Sequence, residues 1–485
     1  MVTRRRVLGT GLAATGVGLT GGSLLPVLHA AAQPAERPAA GPAAAAVPRF
    51  ATAMPRVPVL KPDSTMGGVD LYTVTMRTAS KEILPGLRTE LRTFNGQFPG
   101  PTIKARRGRP VVVRQINSLD VDTSVHLHGG ELPPEYDGAP MDTLAPGGRR
   151  LCVYPNTQAH ASLWYHDHAH HLESENVYRG LHGSYLLTDE AEEALPLPKG
   201  EYDVVIGIRD AHFDTGTGQL VYQMGDRARN TLLVNGAPYP YFQVAARSYR
   251  LRLANHSNMR FVELRLADDG DMVQIGSDGG LLERPHTTKS VHLSSGERVD
   301  VVIDFSRYPV GTQIVLKNTG YGPVEEIGEV LRFDVVRTAS DASSVPSVLR
   351  TLPRLPAPTA ERAIVLRMDE DGRPDPQGYM DEKVYDPGRV DARVRFGASE
   401  IWTVTNANKL VPHNFHMHLV QFRVLERNGA APGPAEQGLK DTVVLMPGDT
   451  VRLQATFDRY QGEYVYHCHM LDHSAMGMMA TMKIV

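Results

Sequence analysis

Ten of the nineteen histidines fall in four tight clusters: His126/His128, His166/His168, His413/His416/His418 and His467/His469/His473. In an extended strand, residues i and i+2 project from the same face. The pairs 126/128, 166/168, 416/418 and 467/469 therefore each aim two imidazoles in one direction. Facing one another across an interface, such pairs can enclose several metal ions. Imidazole suits copper, zinc and iron, so the histidines alone leave the metal open.

The segment from His467 to Met478 narrows the choice. By strand alternation Cys468 points away from His467 and His469, toward a second site on the opposite face. Cys468, His473 and one further histidine make a His₂Cys set, and Met478 adds a weak axial thioether. That is the ligand composition of a blue-copper electron-transfer centre. Zinc favours a closed tetrahedral set and has no redox chemistry to offer. A cysteine between two metal sites is a short covalent path for electrons. The only other cysteine is Cys152, and with Cys468 acting as a ligand a 152–468 disulfide is not expected. His160, His170, His171, His182, His212, His256, His286 and His292 stand outside the clusters and read as ordinary, satisfied polar residues. Met470, Met476, Met479 and Met482 read as packing residues.

The elements that must position these groups emerge from an internal repeat. Val111–Asn117, Tyr249–Asn255 and Ile401–Asn406 are apolar-alternating strands ending in Asn. Each is followed by an alternating pair: His126/His128, Glu263/Arg265 and His416/His418. Gly147, Gly296 and Gly448 then turn the chain into β runs, and Trp164–His168, Ile314–Lys317 and Tyr464–His469 close the copies. With a period of about 150 residues, close to an ordinary domain length, the chain is expected to be all-β, with three sandwich or barrel domains at 50–190, 200–345 and 360–485. The stretch Met368–Asp391 reads as a long surface loop leading into the third. Copy two has Glu263 and Arg265, then Val315 and Lys317, where the others have histidines. It is expected to be a spacer without metal, leaving the site to the first and last domains.

The bulk composition agrees. The 485 residues carry 41% hydrophobic and 22% charged side chains, an ordinary globular mixture. A net charge of −3 supplies no clustered positive field for nucleic acid. Arg4-Arg5-Arg6 before a mild apolar stretch, with small residues at Ala30 to Ala32, resembles a twin-arginine export signal over residues 1–32, His29 included. An Ala/Pro-rich linker follows over 33–49. Beyond the signal no membrane span is expected, and the location is periplasmic, cell-surface or extracellular.

Together Phe94–Ile103, His126–Gly130, Trp164–His168, Asn176–Gly183, His413–His418 and the final His-Cys-His-x3-His-x4-Met resemble the multicopper oxidase family. The likeness is greatest to three-domain bacterial laccases of the spore-coat type and to bilirubin oxidases, and it covers nearly the whole mature chain. It implies cupredoxin-like Greek-key domains and four copper ions. A type 1 ion would take His413, Cys468, His473 and Met478, and a type 2 ion His126 and His416. A type 3 pair would take His128, His166, His168, His418, His467 and His469. Asp137 matches an acidic residue near the dioxygen site, where a carboxylate can relay protons; a turn aspartate is the plainer reading. Ser474 departs from the pattern, standing where the spore-coat relatives have a carboxylate along the water or dioxygen channel.

The implied activity is one-electron oxidation of phenols or aromatic amines near the exposed edge of His473, coupled to reduction of dioxygen to water. A metallo-oxidase of Cu(I), Mn(II) or Fe(II) is the alternative, with Met368, Asp369, Glu370 and Asp371 as cation attractors; bilirubin oxidation is a third. A non-enzymatic cupredoxin-like protein and a two-domain nitrite reductase fit the ligand set and the repeat poorly. Both ends of the interdomain cluster lie in one chain, so a monomer is expected.

Overall fold

Runs of β-branched and aromatic residues alternating with polar ones favour pleated strands over helices. The computed structural model describes residues 47–485 apart from residue 374, and 47% of the chain is strand against 7% helix. Six sheets pair off along the chain around three apolar cores. The strands of the first pair lie between Ser64 and Thr188, of the second between Asp203 and Thr338, and of the third between Ala360 and Ile484.

The three sheet pairs repeat one pattern. Val111–Asn117 runs parallel to Val69–Glu82 and antiparallel to Arg149–Tyr154. Ser248–Asn255 does the same between Asp203–Ala211 and Arg298–Asp304, and Ser399–Asn406 between Ala360–Met368 and Thr450–Thr456. In the facing sheets, the closing strand of each copy lies antiparallel to its alternating-pair strand.

The asparagine ending each first strand is the corner of the unit. Asn117, Asn255 and Asn406 each donate two side-chain hydrogen bonds to carbonyls of the following loop: Val121 and Leu144, Arg260 and Leu293, Val411 and Leu445. Each side-chain oxygen also accepts the N–H two residues on. Each backbone carbonyl accepts from Gly147, Gly296 or Gly448, whose φ values of 80°, 87° and 81° suit glycine alone at no steric cost. Four groups are satisfied by one residue.

Two expectations need correction. Residues 47–54 belong neither to a free linker nor to the first unit. Arg49 bonds to Glu329, and Phe50 and Met54 donate to carbonyls of Tyr239 and Tyr241 in the second unit. Met54 enters that unit's core, because an apolar residue flanking a sheet edge gains more by covering it than by staying in water. The Met368–Asp391 stretch is likewise inside the third unit. Its Gly378–Met380 strand pairs with Ala360–Met368, and Glu370 accepts from the N–H groups of Lys409, Leu410 and Val411. The signal segment 1–32 and most of the linker lie outside the described residues. Among the described residues no helix is long and apolar enough to cross a membrane.

Replacing Asn255, remote from the histidine clusters in sequence, by Ala should leave two buried carbonyls and one N–H without their partner. At about 1–3 kcal/mol for each unsatisfied group, the urea midpoint of the purified protein should fall clearly; an unshifted midpoint would mean the corner is not a structural joint.

Candidate metal centre

Strand register places the histidines. His126 lies directly across from His166, and His416 across from His467. Leu127, between His126 and His128, is buried in the first core, and Met417 in the third. Alternation therefore turns eight imidazoles out of the two cores and toward each other. All eight are buried.

They sort into three groups. His128 Nδ1 lies 3.0 Å from His469 Nε2, which is 3.4 Å from His166 Nε2. His467 Nε2 lies 3.1 Å from His168 Nε2 and 3.4 Å from His418 Nε2. Each trio mixes residues from both ends of the chain. His126 and His416 form the third group. Each donates its Nδ1–H to a backbone carbonyl, of Asp137 at 2.6 Å and of Asp441 at 2.8 Å. Their Nε2 atoms have no hydrogen-bond partner among the described residues. The rings stack across the interface, His126 on His418 and His128 on His416, both at 3.8 Å.

Outer acceptors decide which nitrogen carries the hydrogen. His128 Nε2–H donates to Asp441 Oδ1 at 2.8 Å and His418 Nδ1–H to Asp137 Oδ2 at 2.7 Å. His166 and His467 donate Nδ1–H to the carbonyls of Asp167 and Cys468. The inner nitrogens of these rings are thus lone pairs. Burial first, then neighbouring imidazoles, pushes His128, His166, His168, His467 and His469 well below the usual histidine range. They are neutral, the form that binds metal. Lone pairs facing one another in a buried space repel unless cations lie between them. The residues present fit a cluster of metal ions.

The second site sits on the other face of the same segment. Cys468 Sγ lies 3.7 Å from His413 Nδ1 and 3.6 Å from His473 Nδ1, and the two nitrogens are 3.1 Å apart. Asn408, fixed by two bonds to the Met368 backbone, accepts His413 Nε2–H at 2.9 Å and leaves Nδ1 bare. The backbone of Met478 is bonded to both Cys468 and His473, and its side chain is buried. Burial pushes the Cys468 thiol up to about 12, so a bound cation is what would deprotonate it. Cys152 and Cys468 are both free.

Four other expectations change. The edge of His473 is not open: the residue is only 2% exposed. Asp369, Glu370 and Asp371 are not free cation attractors, since their carboxylates already hold Arg367 and Arg373 or backbone N–H groups. His182 and His256 are not satisfied polar residues. They pack 4.9 Å apart, and none of their four ring nitrogens has a hydrogen-bond partner among the described residues. His160 does fit that description, bonded to Asp189 at 2.9 Å. Last, the middle unit is more than a spacer. Its Arg298 clamps Asp441 through two bonds of 2.8 and 2.6 Å, its Asp278 takes Lys440 at 3.0 Å, and its Ser295 donates to the His469 carbonyl. Burial raises the Asp441 carboxyl, but Arg298 and then His128 outweigh it and hold the group well below the usual range. Asp441 and Arg298 escaped sequence reasoning because neither sits in a ligand-type spacing.

Comparison with known proteins agrees with this geometry. Family models described as multicopper oxidase match residues 75–192, 161–319 and 358–485. The chain is 37% identical over 471 residues to a laccase of Bacillus stratosphericus, covering 82% of this chain and 91% of that one. It is 36% identical over 469 residues to the bilirubin oxidase of Albifimbria verrucaria, covering 89% and 81%. The crystal structure of a laccase from Pediococcus acidilactici Pa5930 superposes with a TM-score of 0.84 at 32% identity, over 91% of this chain and 95% of that one. The chain belongs to the multicopper oxidase family. It is a laccase-like, copper-dependent oxidoreductase that uses dioxygen.

Changing Arg298 to Met should strand the Asp441 carboxylate in a fully buried place. Removing one partner of such a pair costs about 3–5 kcal/mol, read as a lower denaturation midpoint with reduced metal content. A normal midpoint and full loading would show that the middle unit does not support the cluster.

Proposed function

We propose that the chain holds four copper ions and oxidises phenols or aromatic amines one electron at a time. In this reading His413, Cys468, His473 and Met478 hold a type 1 ion, and His126 and His416 a type 2 ion. One ion of a type 3 pair takes His128, His166 and His469, the other His168, His418 and His467. The domains are taken as 55–190, 200–345 and 360–485, with residues 47–54 joined to the second. Copper so held supplies one-electron redox chemistry and the four-electron reduction of dioxygen to water.

The observation that carries the reading is the back-to-back arrangement at Cys468. Its sulfur faces two imidazoles on one side, while the residues on either side of it in the chain face the eight-histidine cluster on the other. Two short covalent paths through the peptide therefore join the sites. Asp137 binds both His418 and His126 and is assigned to the cluster as the carboxylate that orients them and relays protons. Relatives named laccase and bilirubin oxidase, matched over most of their lengths, support an organic donor. The pairing of Asp369, Glu370 and Asp371 removes the feature that favoured a metal-ion donor. The N-terminal arginine pair supports twin-arginine export, and the two ends of the cluster within one chain support a monomer.

Changing Cys468 to Ser should abolish the blue colour and all turnover while the cluster histidines still bind copper. A blue, active variant would refute the assignment. Oxygen uptake on one preparation, with a phenol and with cuprous ion, separates the donors: faster uptake with cuprous ion would overturn the organic-donor reading.

A further inference from the structure

Reducing dioxygen to water consumes four protons for every four electrons, inside a cluster whose inner nitrogens carry none. A nearby group must hold protons at neutral pH and give them up. Ser474, at the position where the resemblance leads one to expect a carboxylate, lies in the helix Leu471–Ala475 beside His473. Packed against it is the helix Glu173–Tyr178 of the first unit, which begins five residues after His168.

Glu173 stands between the two helices and is fully buried. Its Oε1 is 3.0 Å from Ser474 Oγ, and that hydroxyl is also 3.0 Å from the carbonyl of Leu471. One hydroxyl hydrogen makes one full hydrogen bond, and sharing it between two acceptors weakens both. If Glu173 carries a proton, it donates to Ser474, which donates on to Leu471, and every contact holds a hydrogen. If Glu173 is ionised, the single Ser474 hydrogen is left to both acceptors, and one contact loses most of its hydrogen bond. No lysine or arginine acts on Glu173 among the described residues, and its Oε2 has no hydrogen-bond partner there. The titratable groups facing it are Asp167 from the strand Ala161–Asp167, Asp472 from the Ser474 helix and Tyr385 from the segment after Gly378–Met380. Asp472 is itself neutralised by Arg229 at 3.0 Å. Burial, only partly offset by hydrogen bonds, raises Glu173 to about 8.

We propose that Glu173, across the helix contact from Ser474, supplies protons to the dioxygen-reducing cluster in place of a carboxylate at position 474. Each transfer moves one proton from the Glu173 carboxyl toward reduced oxygen, and the carboxylate then takes a proton from solvent, so the residue returns unchanged. The inference rests on the copper assignment above.

The test is Glu173→Gln in the copper-loaded enzyme, followed in two half-reactions. Anaerobic reduction by a phenol, read from loss of blue colour, should keep its wild-type rate. Reoxidation of the reduced enzyme by dioxygen should slow on the order of a hundredfold, the usual worth of a positioned acid. Wild-type reoxidation should fall as pH rises through about 8, and the variant should lose that dependence. A second variant, Glu173→Gln with Ser474→Glu, moves the carboxylate to the other helix and should restore reoxidation. Reoxidation at the wild-type rate in Glu173→Gln would overturn the proposal. So would loss of copper or colour in that variant, which would make Glu173 a structural residue. A wild-type protein that loads copper but is neither blue nor an oxidase would instead refute the copper assignment.

Discussion

A neutral imidazole has one N–H and one lone pair, and this protein depends on where each hydrogen is held. The outer nitrogens of His126, His128, His166, His413, His416, His418 and His467 donate to fixed acceptors: carbonyls of Asp137, Asp167, Asp441 and Cys468, carboxylates of Asp137 and Asp441, and the amide oxygen of Asn408. The inner nitrogens are left as lone pairs aimed at one another. Such an array is unfavourable by itself and favourable around cations, so metal binding and the stability of the interface are linked.

That constraint spreads outward. An acceptor that must stay ionised in a buried place needs its own counter-charge, and Asp441 finds it in Arg298. Arg298 also meets Asp278, which pairs with Lys440, and Lys440 reaches Glu297. A row of alternating buried charges thus runs from the histidines into the unit that holds no ligand. Buried pairs of this kind add little stability over apolar packing but are costly to break. The middle unit acts less as a distance piece than as the fixed wall against which Asp441 is held.

Much of this was legible in the chain itself. The three Asn-ended strands and their glycine turns appear in order along the sequence because each corner is made by residues near each other in it. The histidine pairs were legible for a similar reason: two imidazoles on one face need only a spacing of two. What failed was reading environment from composition. The acidic residues at 369–371 look free until Arg367, Arg373 and the backbone at 409–411 are brought to them. His473 looks like an open edge until its 2% exposure is seen. Residues 47–54 look like linker because the edge they cover lies near residue 240.

Sequence alone determined the all-β repeat, the four histidine clusters and the opposite facing of Cys468 and its neighbours. Those properties follow from strand periodicity and side-chain chemistry, which are local. Tertiary structure decided which imidazoles share a group, which nitrogen of each is bare, and which buried charges hold them. Arg298 and Asp441 are 143 residues apart, and Glu173 and Ser474 are 301 apart. No local rule links such positions; only the packing of separately formed sheets and helices brings them within hydrogen-bond reach.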